Sequence, residues 1–377
     1  MASPVPHHRH QASLESVIDP KAPPPLDPAQ RAHAARVLYR IIEHFDALDN
    51  DDSGNRSRSR TYSRPRLVRY TYEYVLSDES RDLFLRAFFK AMALALDGHG
   101  LSGDRELDFE VLKPLFVDYA DYLMDNFFLP LKASTRRTPQ PSPAFHSAVL
   151  RAQGSEAPAF VGTPERLSSL RGTCLVRDRH RCVITRKFCA AEYTERFKKY
   201  GDEAHDDHGV LLSEVDQFAT LEDQSREAAL AILNMFDAGV AHLIQGVDID
   251  RPRNALTLTH EMHQQFGAFE VYFSAVQGEY NTYRIESFLP PRLSATFGMP
   301  VVRTLFVTDA RTIDPPSPRL LAVHRAIAHI LHLSGAGDYI DAILRDMEDS
   351  IVRADGSSEL GRMVSLGLGE WPTRAVY

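Results

Sequence analysis

The stretch RPRNALTLTHEMHQQFG, residues 251–267, places one asparagine and two histidines in a short run that closes on a glycine. Its proline and polar residues predict a loop around Asn254, and the residues that follow predict a short helix ending at Gly267. His260 and His263 are three residues apart, so they lie on roughly one face of that helix. The stretch therefore predicts a loop amide followed by two imidazoles on one helix.

This combination of side chains suits the hydrolysis of a phosphodiester bond. That reaction needs a base to activate water, a cation to neutralise charge on the phosphate, and a group that holds the base. A neutral imidazole is a good ligand for divalent transition metals, and the amide of Asn254 can orient a general-base histidine by a hydrogen bond. Two histidines on an amphipathic helix are more often surface or packing residues, so the spacing also leaves a structural role open.

Stretches on both sides of this motif carry a resemblance to a known family. Three parts of the sequence resemble the fungal branch of the HNH endonuclease superfamily. They are CLVRDRHRCVITRK (174–187), DIDRPRNALTLTHEMHQQFGAFEVYF (248–273), and Tyr283 with Ile285. The stretch VHRAIAHILHLSGAGDYIDAILRD (323–346) is similar to the extension that such proteins carry. The resemblance spans about residues 165–350. It implies a ββα-metal (HNH-like) core, a divalent metal ion, and DNA as the nucleic acid that is cleaved.

The resemblance assigns roles to individual residues of the motif. The final histidine of the family's motif is a metal ligand, and this role carries over to His263. Asn254 matches the family's asparagine, whereas His260 has no fixed role there. Asp216 is a second candidate ligand, because an aspartate often ligates the metal in the superfamily. The metal is expected to be Mg²⁺, Mn²⁺, Zn²⁺ or Ni²⁺.

The general base is the member of the site that the sequence does not supply in its expected place. In the family this histidine stands on a strand upstream, and Gln217 falls at that position. An amide cannot accept a proton from water near neutral pH, so glutamine there is expected to cost roughly 10²–10⁴-fold in rate. His242, twelve residues before Asn254, is the predicted catalytic replacement. His205 and His208 in a nearby loop are alternatives, and the remaining alternative is that the base is absent and the domain is weakened or inactive.

Arginines near the start of the resemblance are candidates for contacts to the substrate. Arg177, Arg179 and Arg181, followed by Arg186 and Lys187, lie within the stretch that resembles the family. They are predicted to line a substrate groove, with ordinary surface charge as the alternative. A second basic stretch, NRSRSRTYSRPRLVRY (55–70), is interpreted either as a phosphate-contacting segment or as a solvated linker.

Composition and charge limit the class of protein. The chain has 377 residues, of which 44% are hydrophobic, and a net charge of −8, which argues against a general nucleic-acid coat protein but not against a local basic groove. The three cysteines lie within sixteen positions and fit a reducing compartment better than a disulfide framework. No stretch has the length and apolarity of a signal peptide or a membrane span. We expect an intracellular protein, nuclear or cytoplasmic, with no membrane partner.

Amphipathic spacing and polar breaks divide the chain into segments. Helices are predicted over 28–47, from Ser77 onwards, over 108–130 and over 222–246, and a strand over 269–273 is predicted to form a hairpin with 280–288. A further strand near 301–309 precedes two helices separated by SGAG. The segments are a disordered tail (1–26), a helical N-terminal domain (27–134), a linker (135–162), an HNH-like domain (163–290), a strand with a helical C-terminal extension (291–354), and an irregular tail (355–377).

Two functions are therefore expected from the sequence, within an α+β fold. The first is a metal-dependent HNH endonuclease that hydrolyses DNA phosphodiester bonds, with a degenerate general-base position. The second is a catalytically inactive HNH-like module that binds nucleic acid or a protein partner. The half-motif of Asn254 and His263 favours the first function, and Gln217 favours the second. The oligomeric state is left open by the sequence.

Overall fold

A computed structural model of the chain describes residues 24–52, 62–96, 107–136, 164–215, 218–219, 221–223, 236–237, 240, 243, 251–308, 312–348 and 362–363. The described residues fall into two compact units. The helical unit lies within residues 1–134, 229–241 and 329–371, and the mixed unit lies within residues 135–228, 242–328 and 372–377. The segment boundaries expected from the sequence remain predictions. The tail at 1–23 and most of the linker at 135–162 lie outside the described residues.

Amphipathic helices with polar N-caps build the helical unit. They are α1 (Pro28–Asp52), α2 (Arg64–Glu73), α3 (Asp78–Ala91), α4 (Phe109–Leu123) and α5 (Leu129–Arg136), with a π-helical turn at Met124–Phe128 joining the last two. Side-chain oxygens of Ser63, Ser77 and Asp108 each accept a hydrogen bond from a backbone N–H in the first turn of a helix, as expected for N-caps. The predicted helix starts near residues 28, 77 and 108 are confirmed.

The C-terminal end of the chain contributes to this helical unit. Helix α11 (Ala336–Glu348) buries Tyr339, Ile340 and Ile343. The buried ammonium of Lys132 donates to the backbone oxygen of Gly337 at 3.1 Å and to the carboxylate of Asp341 at 2.8 Å. These two bonds satisfy a charge that would otherwise be expensive to bury.

The arginines of the basic stretch 55–70 that the structure describes pair with acids of the helical unit. Arg64 binds the carboxylate of Asp121, Arg66 lies 3.4 Å from Asp46, and Arg69 binds Glu73. These three arginines therefore have acidic partners within the protein, which favours a structural role for the described part of the stretch. Arg56, Arg58 and Arg60 lie outside the described residues.

The mixed unit combines helices with three small sheets. Its helices are α6 (Pro164–Arg177), α7 (Ala190–Tyr200), α8 (His260–Gly267), α9 (Pro291–Thr296) and the first part of α10 (Pro318–Ser334). Its strands are β1 (Phe188–Cys189), β2 (Phe218–Ala219), β3 (Leu221–Asp223), β4 (Thr257–Thr259), β5 (Val271–Ala275), β6 (Thr282–Ser287) and β7 (Val301–Thr304). The chain is thus a mixed α and β protein, as predicted.

Strand pairing in this unit sets the position of the motif. Strands β1 and β2 pair in parallel, β3 and β4 pair antiparallel with Asp223 opposite Thr257, and β5, β6 and β7 form an antiparallel sheet in that order. Helix α8 follows β4 directly and contacts β3, β4 and β5. The motif therefore forms part of a strand–strand–helix sequence, β3–β4–α8.

Two sequence predictions in this region need correction. Residues 257–259 were expected to belong to the turn and helix, but they form β4, because the β-branched Thr257 and Thr259 pair with a strand that lies far away in sequence. Residues 222 and 223, predicted to begin a helix, belong to β3. Most of the remaining predicted helix, up to 246, lies outside the described residues. The predicted hairpin is confirmed, with its first strand starting at Val271.

The three cysteines are buried and none forms a disulfide, so they do not build the disulfide framework that their spacing argued against. Cys182 and Cys189 lie in the main apolar cluster of the mixed unit together with Leu258 and Met262. The cluster extends from Leu175 in α6 to Leu321 in α10. Across the part of the chain that the structure describes, no helix is both long enough and apolar enough to cross a bilayer.

Candidate functional site

Helix α8 presents its two histidines to different surroundings. The side chain of Thr259 caps the helix by accepting a hydrogen bond from the backbone N–H of Met262. His263 is buried, with 6% of its surface exposed. His260 is exposed, and its Nε2 lies 2.9 Å from the side-chain nitrogen of Gln264. Of the two imidazoles, His263 is the one that the fold holds inward.

Asn254 ends a single 3-10 turn, Pro252–Asn254, that leads into β4. Its side-chain nitrogen donates a hydrogen bond to the backbone oxygen of Leu243 at 2.8 Å. Leu243 directly follows His242, which the sequence predicts as the general base and which lies outside the described residues. The predicted orienting amide therefore holds the backbone next to the predicted base.

The side chain of Arg177 fixes the turn that carries Asn254. Its guanidinium donates to the backbone oxygen of Pro252 at 2.6 Å and to that of Ala255 at 3.0 Å, one on each side of Asn254. Two further bonds, at 2.9 and 2.7 Å, join it to both carboxylate oxygens of Asp178. This pair is fully buried, so the predicted substrate contact by Arg177 is at odds with its position. The contacts make Arg177 a positioning residue.

The two other predicted substrate arginines lie closer to the surface. Arg179 places a guanidinium nitrogen 2.9 Å from Nδ1 of His208. Arg181 donates to the carboxylate of Asp206 at 2.7 Å and to the backbone oxygen of Arg186 at 2.8 Å. Arg181 is thus paired with a carboxylate within the protein, whereas Arg179 contacts the imidazole ring of His208.

The alternative bases, His205 and His208, flank a tight turn. The backbone oxygen of His205 accepts a hydrogen bond from Arg196 at 3.0 Å. Burial alone would raise the pKa of Asp206, but hydrogen bonds from Arg181 and from the backbone N–H groups of Val210 and His208 hold that pKa below its usual value. The carboxylate therefore stays ionised and keeps the turn closed.

A histidine that sequence reasoning missed lies beside this turn. His180 is buried, and its Nδ1 lies 2.8 Å from the carboxylate of Asp207. The other oxygen of Asp207 accepts from Arg196 at 2.8 Å, and Arg196 also binds Glu192. Burial would raise the pKa of Asp207, but the bonds from His180 and Arg196 lower it to about 2. From the sequence, only the contact between Glu192 and Arg196 could be predicted, because residues four apart on a helix lie next to each other.

A metal site is only partly represented among the described residues. Within them, no group of three or more histidine, cysteine or acidic side chains is placed to hold a metal ion. His263 is the predicted ligand that the structure describes, whereas Asp216, the second predicted ligand, and His242, the predicted base, lie outside the described residues. The fit of a divalent ion therefore depends on Asp216 as well as on His263.

His324 on α10 braces the C-terminal end of α8. Its ring stacks on Phe266 at 3.7 Å between centroids and on Phe269 at 4.7 Å. Its Nε2 lies 2.9 Å from the backbone oxygen of Phe266, and because a carbonyl only accepts, this nitrogen carries the hydrogen. Burial lowers the pKa of His324 to about 4. The histidine is therefore neutral in the folded protein at neutral pH, and it packs between two aromatic rings.

Acid is expected to weaken the fold through His324. The unfolded chain takes up a proton with a pKa near 6.5, whereas the folded chain resists it until about pH 4. Stability is therefore lost as the pH falls from about 6.5 to 4, by up to about 3 kcal/mol. Urea unfolding of the wild type and of His324→Phe at pH 7.5 and pH 5 measures this effect. An identical pH dependence in both proteins would contradict it.

Comparison with known proteins gives one match, and it falls on the motif. A family model described as HNH endonuclease matches residues 210–274, which are 65 of the 377 residues. No curated protein and no solved structure matches the chain. The match supports the HNH family indicated by the motif, while the fungal branch remains a prediction. The segment that contains β3, β4, α8, Asn254 and His263 is thus similar to HNH endonucleases.

Proposed function

We propose that the protein is a metal-dependent HNH endonuclease that hydrolyses DNA phosphodiester bonds. The observation that carries the proposal is the bond from Asn254 to the backbone oxygen of Leu243, made inside the segment that matches the endonuclease family. That bond ties the loop asparagine to the residue next to His242. A buried histidine, His263, follows on the next helix. Both members of the half-motif, Asn254 and His263, thus lie within the segment that matches the endonuclease family.

The strand–strand–helix sequence supports the assignment of a ββα core. Strands β3 and β4 pair over three residues each, and α8 begins at the residue after β4. Thr259 ends the strand and caps the helix, so the strand and the helix that bears His263 are joined without a loop. This junction fixes the helix relative to the two strands.

Each residue of the proposed site has a separate task. His242 accepts the proton of the attacking water, and Asn254 holds the backbone beside it as a positioning residue. His263 and Asp216 are the proposed metal ligands. A divalent ion bound there, Mg²⁺, Mn²⁺, Zn²⁺ or Ni²⁺, would neutralise charge on the phosphate. Arg177 acts at one remove, because it holds both sides of the turn that carries Asn254.

The second candidate function is an inactive HNH-like module that binds nucleic acid or a protein. The residue that favours it is Gln217, which occupies the family's base position in the sequence and cannot accept a proton from water near neutral pH. On this alternative the fold is retained, whereas the chemistry is lost.

Plasmid cleavage tests the choice between the two functions. Chelator-treated protein is mixed with supercoiled DNA, and Mg²⁺, Mn²⁺, Zn²⁺ or Ni²⁺ is added singly. We expect nicking with at least one metal and none with the chelator alone, because the phosphate needs a cation to offset its charge. A cooperatively folded protein that nicks DNA with none of the four metals would favour the binding module instead.

A further inference from the structure

Two arginine side chains, those of Arg179 and Arg186, lie over the aromatic ring of Phe306. The guanidinium carbon of Arg186 lies 4.2 Å from the ring centroid, and that of Arg179 lies 5.2 Å from it. The ring of His208 is also close, with 5.7 Å between centroids. Stacking on an aromatic face holds a guanidinium in a fixed plane, which prepares it for a planar, forked contact to an oxyanion.

Backbone carbonyls, rather than carboxylates, anchor two arginines of this region. Arg186 donates to the backbone oxygen of Thr304 at 2.6 Å. Arg303, on strand β7, donates in turn to the backbone oxygen of Ile184 at 2.9 Å. Two arginines therefore join the turn before β1 to strand β7, and a carbonyl partner does not neutralise the charge of either one.

Among the described residues, neither Arg186 nor Arg303 forms a salt bridge with a carboxylate, so no ion pair there neutralises their charge. The charge of Asp178 favours the cation of Arg186, but both oxygens of Asp178 are already bound by Arg177. Burial, and next the charge of Arg303, lower the pKa of Arg186 to about 10. The protein thus holds two guanidinium groups close enough for their positive charges to repel each other.

The backbone around these arginines adopts conformations that side chains disfavour. Arg179, His180 and Arg186 all have positive φ angles, of 54°, 55° and 62°. Left-handed backbone is uncommon for large residues, and such positions cluster at functional sites. Here they place Arg179 and Arg186 on the same aromatic ring.

We propose that Arg179 and Arg186, which lie over the ring of Phe306, together with Arg303, which donates to the backbone oxygen of Ile184, bind backbone phosphates of the nucleic acid. We name these three residues the arginine cluster. The proposal rests on the proposed nuclease function and specifies how that enzyme holds its substrate. It replaces the groove of Arg177, Arg179 and Arg181 expected from the sequence, because Arg177 is buried and Arg181 is bound to Asp206. A phosphate would supply an anionic partner for Arg186 and Arg303.

Binding measured without cleavage tests the arginine cluster. A short fluorescent DNA duplex is titrated with full-length protein in chelator, and the affinity is followed by anisotropy over a series of salt concentrations. The test variant is the double substitution Arg186→Gln and Arg303→Gln. The charge-matched control is the double substitution Arg284→Gln and Arg292→Gln, at two exposed positions of the same unit.

The expected result follows from counterion release. Loss of two phosphate contacts should reduce the slope of log affinity against log salt by about 2 and weaken binding roughly ten-fold near physiological salt. The control should keep a slope close to that of the wild type. Replacing Arg186 and Arg303 by lysine keeps both charges, so this variant should keep most of the slope even if the glutamine variant does not fold.

The outcomes separate this proposal from the proposed function. A wild type that binds and nicks DNA, together with a glutamine variant whose slope is unchanged, overturns the arginine cluster and leaves the nuclease standing. Equal losses in the glutamine variant and the control also overturn it, because they would reflect net charge alone. A wild type that does not bind the duplex overturns the cluster as well, and the plasmid assay then decides the nuclease separately.

Discussion

Replacing Arg177 by alanine is expected to lower the free energy of unfolding by about 3–5 kcal/mol. The substitution leaves the carboxylate of Asp178 buried without its forked partner. It also removes the donors to the backbone oxygens of Pro252 and Ala255, so the turn that carries Asn254 loses its support. A buried carboxylate without a partner destabilises the folded state by far more than an exposed ion pair stabilises it.

Chemical denaturation of purified variants measures this effect. Arg177→Lys should recover only part of the stability, because one ammonium group cannot reproduce a contact to two carboxylate oxygens and two carbonyls. Arg284→Ala is the matched control, since Arg284 is exposed and pairs with Glu286 on the surface, and it should change stability by less than about 0.5 kcal/mol. An Arg177→Ala variant as stable as this control would contradict the positioning role.

Replacing His242 by alanine is expected to slow DNA cleavage by roughly 10²–10⁴-fold, the usual contribution of a general base. Gln217→Ala should leave the rate nearly unchanged, because an amide does not take part in the proton transfer. Added imidazole should restore part of the activity of His242→Ala, a rescue that a merely structural histidine would not show. Single-turnover rates at saturating metal report the chemical step.

Other patterns of loss would relocate the base. A deficit in His205→Ala or His208→Ala, with His242→Ala unaffected, would assign the base to the loop that contains those histidines. An unchanged cleavage rate in His242→Ala, together with a higher rate in Gln217→His, would show that the base acts from position 217, as in the family. It would also show that this position is degenerate in the present chain. Each pattern contradicts His242 in a different way.

The parts of the fold that were predictable depend on local signals. Ser77 and the pair Asp27–Pro28 mark helix starts, and the break at SGAG matches Gly335, whose φ of 75° suits a glycine between two helices. The strand Thr257–Thr259 was not predictable, because its partner β3 lies more than thirty residues earlier. Pairing over such distances leaves no mark in a short window of sequence.

The candidate site divides in the same way. The loop position of Asn254 and the helical position of His263 follow from the motif. The burial of Arg177 does not, because arginine is rarely buried unless it is paired, and its carbonyl partners lie 75 and 78 residues further on. The His180–Asp207 contact similarly joins residues 27 positions apart. The close spacing of the three arginines in the sequence predicted that all of them contact the substrate. In the structure, Arg177 and Arg181 are instead bound to carboxylates of the protein, whereas Arg179 contacts a histidine ring.

The measurement that tests the central claim most directly is metal-dependent plasmid cleavage by His263→Ala beside His260→Ala. Both variants remove one imidazole from the same helix, but His263 is buried and His260 is exposed. We expect His263→Ala to reduce the cleavage rate by more than about 100-fold, which exceeds the usual loss for a residue that only hydrogen-bonds to a metal ligand. We expect the rate of His260→Ala to stay near that of the wild type. Equal rates for the two variants, both well folded, would contradict a metal-dependent site built on His263.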